Sequence, residues 1–145
     1  MWIFYAVFAS LCWGMSYAAC GPLLKRGVSP ILFFMGYCLL GLIGTFLSLL
    51  ISGKLSTLGK LQEFDRNDLF WFLFSVSVSA LGAYLTYAAI GAKNPSLVSL
   101  IEISYPIFVI LFTWVFFREM QLNPMTIFGG LLILAGVGLV VFSEH

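Results

Sequence analysis

Charge is scarce in this 145-residue chain: 9% of its residues are Asp, Glu, Lys or Arg, where an ordinary soluble domain carries about 25%. So little charge excludes a soluble enzyme and a disordered chain. The net charge is +1, so no basic field exists to hold nucleic acid or an anionic surface. Histidine is almost missing; the single one is His145. Neither a Ser/His/Asp set nor a metal cluster can be assembled, so no enzyme activity and no cofactor are expected. The three cysteines, Cys12, Cys20 and Cys38, all lie in apolar stretches. Three is an odd number and the spacing fits no zinc site, so they read as small buried hydrophobes. No charge precedes Trp2, as the n-region of a signal peptide would require. An Ala18-Ala19-Cys20 run resembles a lipoprotein cleavage site, but Tyr17 before it fits poorly.

What the chain has instead is apolar surface: 61% hydrophobic residues, with 15 Phe, 4 Trp and 6 Tyr. Its mean hydropathy is +1.06. A water-soluble globule of this size has too high a surface-to-volume ratio to hide so much. An integral membrane protein remains. A span needs about 20 residues at about 1.5 Å of rise each. Five apolar runs of that length fit, roughly residues 2–24, 30–52, 69–92, 95–117 and 124–142. They lack the strict alternation of a membrane barrel. The expected fold is all-α, a polytopic membrane helix bundle in a single five-helix domain. Loops between spans one and two, three and four, and four and five are very short, so those helices should be antiparallel neighbours. The one polar loop, Gly53 to Asp68, holds Lys54, Lys60, Glu63, Asp65, Arg66 and Asp68.

Three spans open on the same device, Ser29-Pro30, Asn94-Pro95 and Asn123-Pro124. Ser or Asn caps free N–H groups, and Pro suits the first helical position. Asn67 offers the third span a similar cap. Small residues recur at helical spacing: Ala6, Ser10, Gly14, Ala18 and Gly21; Gly41, Gly44 and Ser48; Ser75, Ser79, Gly82 and Thr86; Gly129 and Gly136. Such stripes let helices approach closely in lipid. Alternating spans place Lys54, Lys60, Arg66 and Arg118 on one side and Lys25, Arg26 and Lys93 on the other. Cationic loops face the cytoplasm, and a count this balanced permits insertion in either orientation.

One acid is out of place. Glu102 lies two turns inside span four, and its helical face reads Ser99, Glu102, Pro106, Val109 and Thr113, with Tyr105 one turn on. A carboxyl near the bilayer centre costs about 2.5–3.5 kcal/mol on insertion scales, and normally faces the bundle interior or a cavity. Three roles are open to it. Lipid favours the neutral form of a carboxyl, which is what a proton carrier requires. It could pair with a cationic group on a substrate. It could also be a structural acid hydrogen-bonded to Ser99 or a tyrosine. Pro106 removes a backbone hydrogen bond inside span four and is a candidate bend or hinge. Tyr17, Tyr37, Tyr84 and Tyr87 are candidates for a pocket, or for packing and interface anchoring. Arg118-Glu119 is expected in the headgroup region as a solvated pair.

Span one carries C-W-G-M-S-Y and ends in P-L-L-K-R-G-V-S-P. Spans three to five carry A-L-G-A-Y-L-T-Y-A-A-I-G-A-K-N-P-S-L-V-S-L-I-E-I-S-Y-P-I-F-V-I-L-F-T-W-V-F-F-R-E and then G-G-L-L-I-L-A-G-V-G-L-V. In order and spacing these closely resemble the EamA repeat of the drug/metabolite transporter superfamily, over nearly the whole chain and most strongly from Ala80 to Val141. Trp13-Gly14 matches the family's opening motif. Pro106 followed thirteen residues later by Glu119 matches its proline-to-acid spacing, and Gly129 to Gly138 match its glycine-rich last helix. The chain departs from the family in having one repeat where members usually have two. It has Tyr105 where many have an acid before the helix-four proline, its own acid Glu102 being a turn earlier. Phe34-Met35-Gly36 stands where a basic residue is frequent.

The resemblance implies a secondary transporter of small metabolites or drugs, most often an exporter, multi-pass in a prokaryotic cytoplasmic (inner) membrane. In inverted-repeat carriers the site lies at the repeat interface and the halves rock around it. One repeat therefore needs a partner in the bilayer, either a second copy as an antiparallel homodimer or a related five-span chain. The expected lining of the substrate or proton site is Trp13, Tyr17, Tyr84, Tyr87, Ser99, Glu102 and Tyr105, with Pro106 as hinge. Two other functions remain open: a flippase for lipid-linked carriers, and a non-transporting partner or assembly subunit.

Overall fold

The computed structural model describes residues 1–118 and 123–143, all helix, turn or coil. The helices are α1 (Trp2–Lys25), α2 (Pro30–Ile51), a 3-10 helix (Leu55–Glu63), α3 (Arg66–Ala92), α4 (Pro95–Glu102), α5 (Tyr105–Phe117) and α6 (Pro124–Ser143). Among the described residues, five helical stretches are long and apolar enough to cross a membrane: α1, α2, α3, Pro95–Phe117 and α6, of 24, 22, 27, 23 and 20 residues. The chain is an all-α membrane protein. Glu119 and His145 lie outside the described residues.

Cap chemistry sets three helix starts. Leu97 N–H donates to Asn94 Oδ1 at 2.9 Å, and Thr126 N–H to Asn123 Oδ1 at 2.8 Å. Ser29 holds the extended cap conformation, but its side chain makes no cap bond. The cap of α3 is Asp65, not Asn67: Asp68 N–H donates to Asp65 Oδ1 at 2.7 Å. An acid at this position also suits the positive end of the helix dipole. It starts α3 at Arg66, before the apolar run begins.

The chain forms two compact units. One comprises Cys20–Ala92. Here α2 packs along α3, and Cys20, Gly21, Leu24, Tyr87 and Ile90 are buried. Gly91 lies at the joint, where an added Cβ would make ordinary van der Waals contact. A Cβ there would meet Pro30 Cγ at 3.7 Å and Leu24 Cβ at 3.8 Å. Rings complete the joint, with Phe33 against Tyr87 at 5.9 Å and Phe34 against Tyr84 at 6.0 Å. The other unit comprises Met1–Ala19 and Lys93–His145. In it α4 packs on α6 and Val98 is buried. A Cβ at Gly41, Gly44 or Gly82 of the Cys20–Ala92 unit would meet nothing within 4 Å, whereas Gly21 of the α1 stripe is buried.

Span four is not one bent helix. It is two helices, α4 and α5, separated by Ile103 and Ser104. Pro106 has no N–H to give the carbonyl four residues back, and that carbonyl belongs to Glu102. The backbone responds by tightening to three-residue bonds: Ser104 N–H donates to Ile101 O at 3.1 Å and Ile107 N–H to Ser104 O at 3.1 Å. The Ser104 hydroxyl also donates to Ile101 O, at 2.8 Å. The discontinuity thus falls before the proline, which sits in the first turn of α5.

Candidate functional site

Within the unit of Met1–Ala19 and Lys93–His145, α1 offers one face at helical spacing: Ser10, Trp13, Gly14 and Tyr17. Opposite it stands the discontinuity of span four. Between them lies an open cavity of about 650 Å³, lined by those four residues and by Ser99, Ile101, Glu102, Ile103, Ser104, Tyr105 and Phe108. Small-molecule pockets span about 300–1,000 Å³, so the space suits a metabolite.

Five of the expected site residues meet here: Trp13, Tyr17, Ser99, Glu102 and Tyr105. Tyr84 and Tyr87 do not line this cavity. They belong to the other unit, where Tyr84 meets Phe34 and Tyr87 meets Phe33. Pro106 borders the discontinuity without lining the cavity. The stripe expected on span four is corrected as well. Ser99 and Glu102 face the space, but Pro106, Val109 and Thr113 do not, and Tyr105 and Phe108 take their place. Three-residue tightening is the reason: it turns about 120° per residue, so residues three apart stay on one face through the break.

Ser10, Gly14, Ile101, Ile103, Ser104 and Phe108 complete the lining beyond the expected residues. Ser10 and Gly14 carried a usable signal, since with Trp13 and Tyr17 they form an i, i+3, i+4, i+7 set. Ile103 and Ser104 carried none, because only the break turns them inward.

The cavity's polar chemistry is one-sided. Ser10 Oγ donates to Ala6 O at 3.0 Å, Ser99 Oγ to Ser96 O at 2.9 Å and Ser104 Oγ to Ile101 O at 2.8 Å. Each hydroxyl spends its only proton on its own helix and keeps oxygen lone pairs for a guest. Glu102, half-buried, adds a carboxyl. Among the described lining residues none is Lys, Arg or His. Aromatic faces supply the rest, with Trp13 and Tyr17 at 5.6 Å between centroids and 54° between planes.

Comparison with known families decides what kind of chain this is. The model of the EamA-like transporter family matches residues 1–142. The chain belongs to that family. Neither the curated proteins nor the solved structures gave a match. Transport is the family's activity and implies a small-molecule substrate, and the five long apolar helices imply contact with the lipid bilayer. The family level also speaks against an enzyme.

At the end of span four Arg118 is exposed, and the pair expected with Glu119 involves a residue outside the described ones. The Arg118 backbone is left-handed, φ 57°, and closes α5 by donating its N–H to Trp114 O at 3.0 Å. Its guanidinium lies over the Trp114 ring, 5.1 Å from the centroid.

Proposed function

We propose that this EamA-like chain is one subunit of a secondary transporter that moves small organic cations or amines with an apolar, aromatic body, in a prokaryotic cytoplasmic membrane. The observation carrying this reading is the cavity between α1 and the span-four discontinuity: an acid, three hydroxyl oxygens facing inward as acceptors and four aromatic rings. A guest with N–H donors and positive charge satisfies all of these at once. Cation–π contact over Trp13, Tyr17 or Tyr105 adds to the pairing with Glu102. Proton and substrate then compete for one carboxylate, so binding one releases the other. That is the minimum an exchanger needs for coupling.

A single repeat completes its site with a second copy, inserted in the opposite sense to restore inverted symmetry. The balanced loop cations support this pairing.

Flux of a fluorescent aromatic amine into liposomes holding the purified chain alone, driven by a pH gradient, tests the reading. Wild-type flux should be saturable and gradient-dependent. Glu102→Gln should lower it at least tenfold and erase its pH dependence, with Glu102→Asp recovering part. Unchanged flux and pH profile in Glu102→Gln would remove the acid from the mechanism. No wild-type flux would favour the non-transporting subunit.

A further inference from the structure

The segment joining α2 to α3 reads in the sequence as a polar loop, and the structure gives it a different character. Leu55–Glu63 is a 3-10 helix of nine residues, entered by a bond from Thr57 N–H to Lys54 O at 2.9 Å. Such helices seldom exceed three or four residues, and they stack residues i and i+3 directly above one another. At that period the sequence sorts into clean rows. One row is Leu55, Leu58, Leu61 and, just past the helix, Phe64. A second is Lys54, Thr57, Lys60 and Glu63. The third is Ser56, Gly59 and Gln62. In an α-helix the leucine row would drift by about 60° every three residues and dissolve into the polar ones. The apolar row therefore exists only because the backbone is wound this tightly.

All four side chains of the apolar row are exposed, from 37% at Phe64 to 49% at Leu58. Geometry indicates what lies against them. α2 and α3 are consecutive spans, so Ile51 and Arg66 sit on the same membrane face. Nine residues at about 2.0 Å each reach roughly 18 Å, too short to enter and leave a hydrocarbon core about 30 Å thick. The segment is thus held at the boundary. The Phe64 ring meets the Phe72 ring of α3 edge-on, centroids 5.7 Å apart. Phe72 is itself 42% exposed on a membrane-spanning helix. Through this ring contact the apolar row runs on to an exposed apolar residue of α3.

We propose that Leu55–Phe64 is an interfacial anchor lying in the plane of the bilayer, with Leu55, Leu58, Leu61 and Phe64 seated at the headgroup–acyl boundary and Lys54, Lys60 and Glu63 directed to water. Cations Lys54, Lys60 and Arg66 are matched by Glu63, Asp65 and Asp68 across the loop. Apolar burial, not attraction to anionic lipid, holds it, and a zwitterionic bilayer suffices.

The test is a nitroxide scan over positions 55–64, one label at a time, in the full chain with Cys12, Cys20 and Cys38 replaced by Ala. The chain is reconstituted in phosphatidylcholine vesicles, and retained helicity and monodispersity are checked first. Access to oxygen, which partitions into lipid, is compared with access to a water-soluble nickel chelate. The expected result is a period of three: oxygen dominates at 55, 58, 61 and 64, and the chelate dominates at the other six positions, a several-fold reversal between rows. Leu58→Glu combined with Leu61→Glu should turn labels at 55 and 64 to the chelate pattern while leaving labels within α2 unchanged. Chelate access at every position would overturn the proposal in favour of a solvated loop. Low access to both reagents along the leucine row would overturn it in favour of a covering protein surface. A pattern that needs phosphatidylglycerol would overturn the claim that apolar burial suffices.

Discussion

Single side chains set much of this molecule's local order. Asn94 caps α4 through its Oδ1, whereas Ser29, in the same sequence setting before a proline, contributes no side-chain bond. Losing a working cap costs about 1 kcal/mol. Asn94→Ala should therefore lower unfolding stability in mixed micelles by about that amount, while Ser29→Ala leaves it nearly unchanged. Equal losses would mean that both caps act through backbone conformation alone. The contrast also shows a limit of reading motifs. Ser-Pro and Asn-Pro mark the right residue for a helix start, but whether the side chain closes the bond depends on a rotamer that composition does not carry. Asp65 shows the same limit from the other side. Asn67 and Asp65 are both good caps, and the structure selects the one that lets helix begin three residues before Leu69.

Among the elements, the discontinuity between α4 and α5 decides the shape of the site. Its cause is chemical: the proline at 106 withholds an N–H from the carbonyl of the same residue whose carboxyl faces the cavity. Pro106→Ala supplies that N–H. Amide exchange at Ile103–Tyr105 should slow, because a continuous α-helix replaces the three-residue bonds, and transport should fall as Tyr105 and Phe108 rotate away from Glu102. Faster exchange, or unaltered exchange with unaltered flux, would show that Ser104 rather than Pro106 holds the break. The five spans were legible because hydropathy over some twenty residues is a strong signal. The break was legible only in part: Pro106 announced a disturbance, but its position and rotation depend on how freed backbone groups find new partners. That difference of phase is why Val109 and Thr113 read as sharing the face of Ser99 and Glu102 and Phe108 did not. Tyr84 and Tyr87, expected in the lining, stand outside this cavity for another reason. Aromatic residues beside small ones look alike whether they line a space or fill a joint, and here they fill one around Gly91.

For the whole molecule, orientation is the property that separates a self-sufficient transporter from half of a mixed pair. Reporters active only in the cytoplasm and only outside, fused after His145 in separate chains, should both give signal if copies insert in both senses. Signal from a single side would end the antiparallel homodimer and direct the search toward an oppositely oriented relative. The loop cations alone leave this close to balance. Adding one Lys beside Lys25 or removing Lys60 should visibly tilt the ratio of the two signals, because orientation responds to small differences in loop charge.

The cavity joins α1 to span four, and Trp13 and Glu102 stand 89 residues apart in the chain, 102 less 13. At about 5–20 residues per second of synthesis, Trp13 and Tyr17 wait in the membrane for roughly 4–18 s before their partners arrive. Until then the two rings have each other, 5.6 Å apart, but not the span-four side of the cavity. The acid, in turn, enters a bilayer where the α1 wall of the cavity, with Trp13 and Tyr17, is already made, and Tyr105 and Phe108 follow directly behind it.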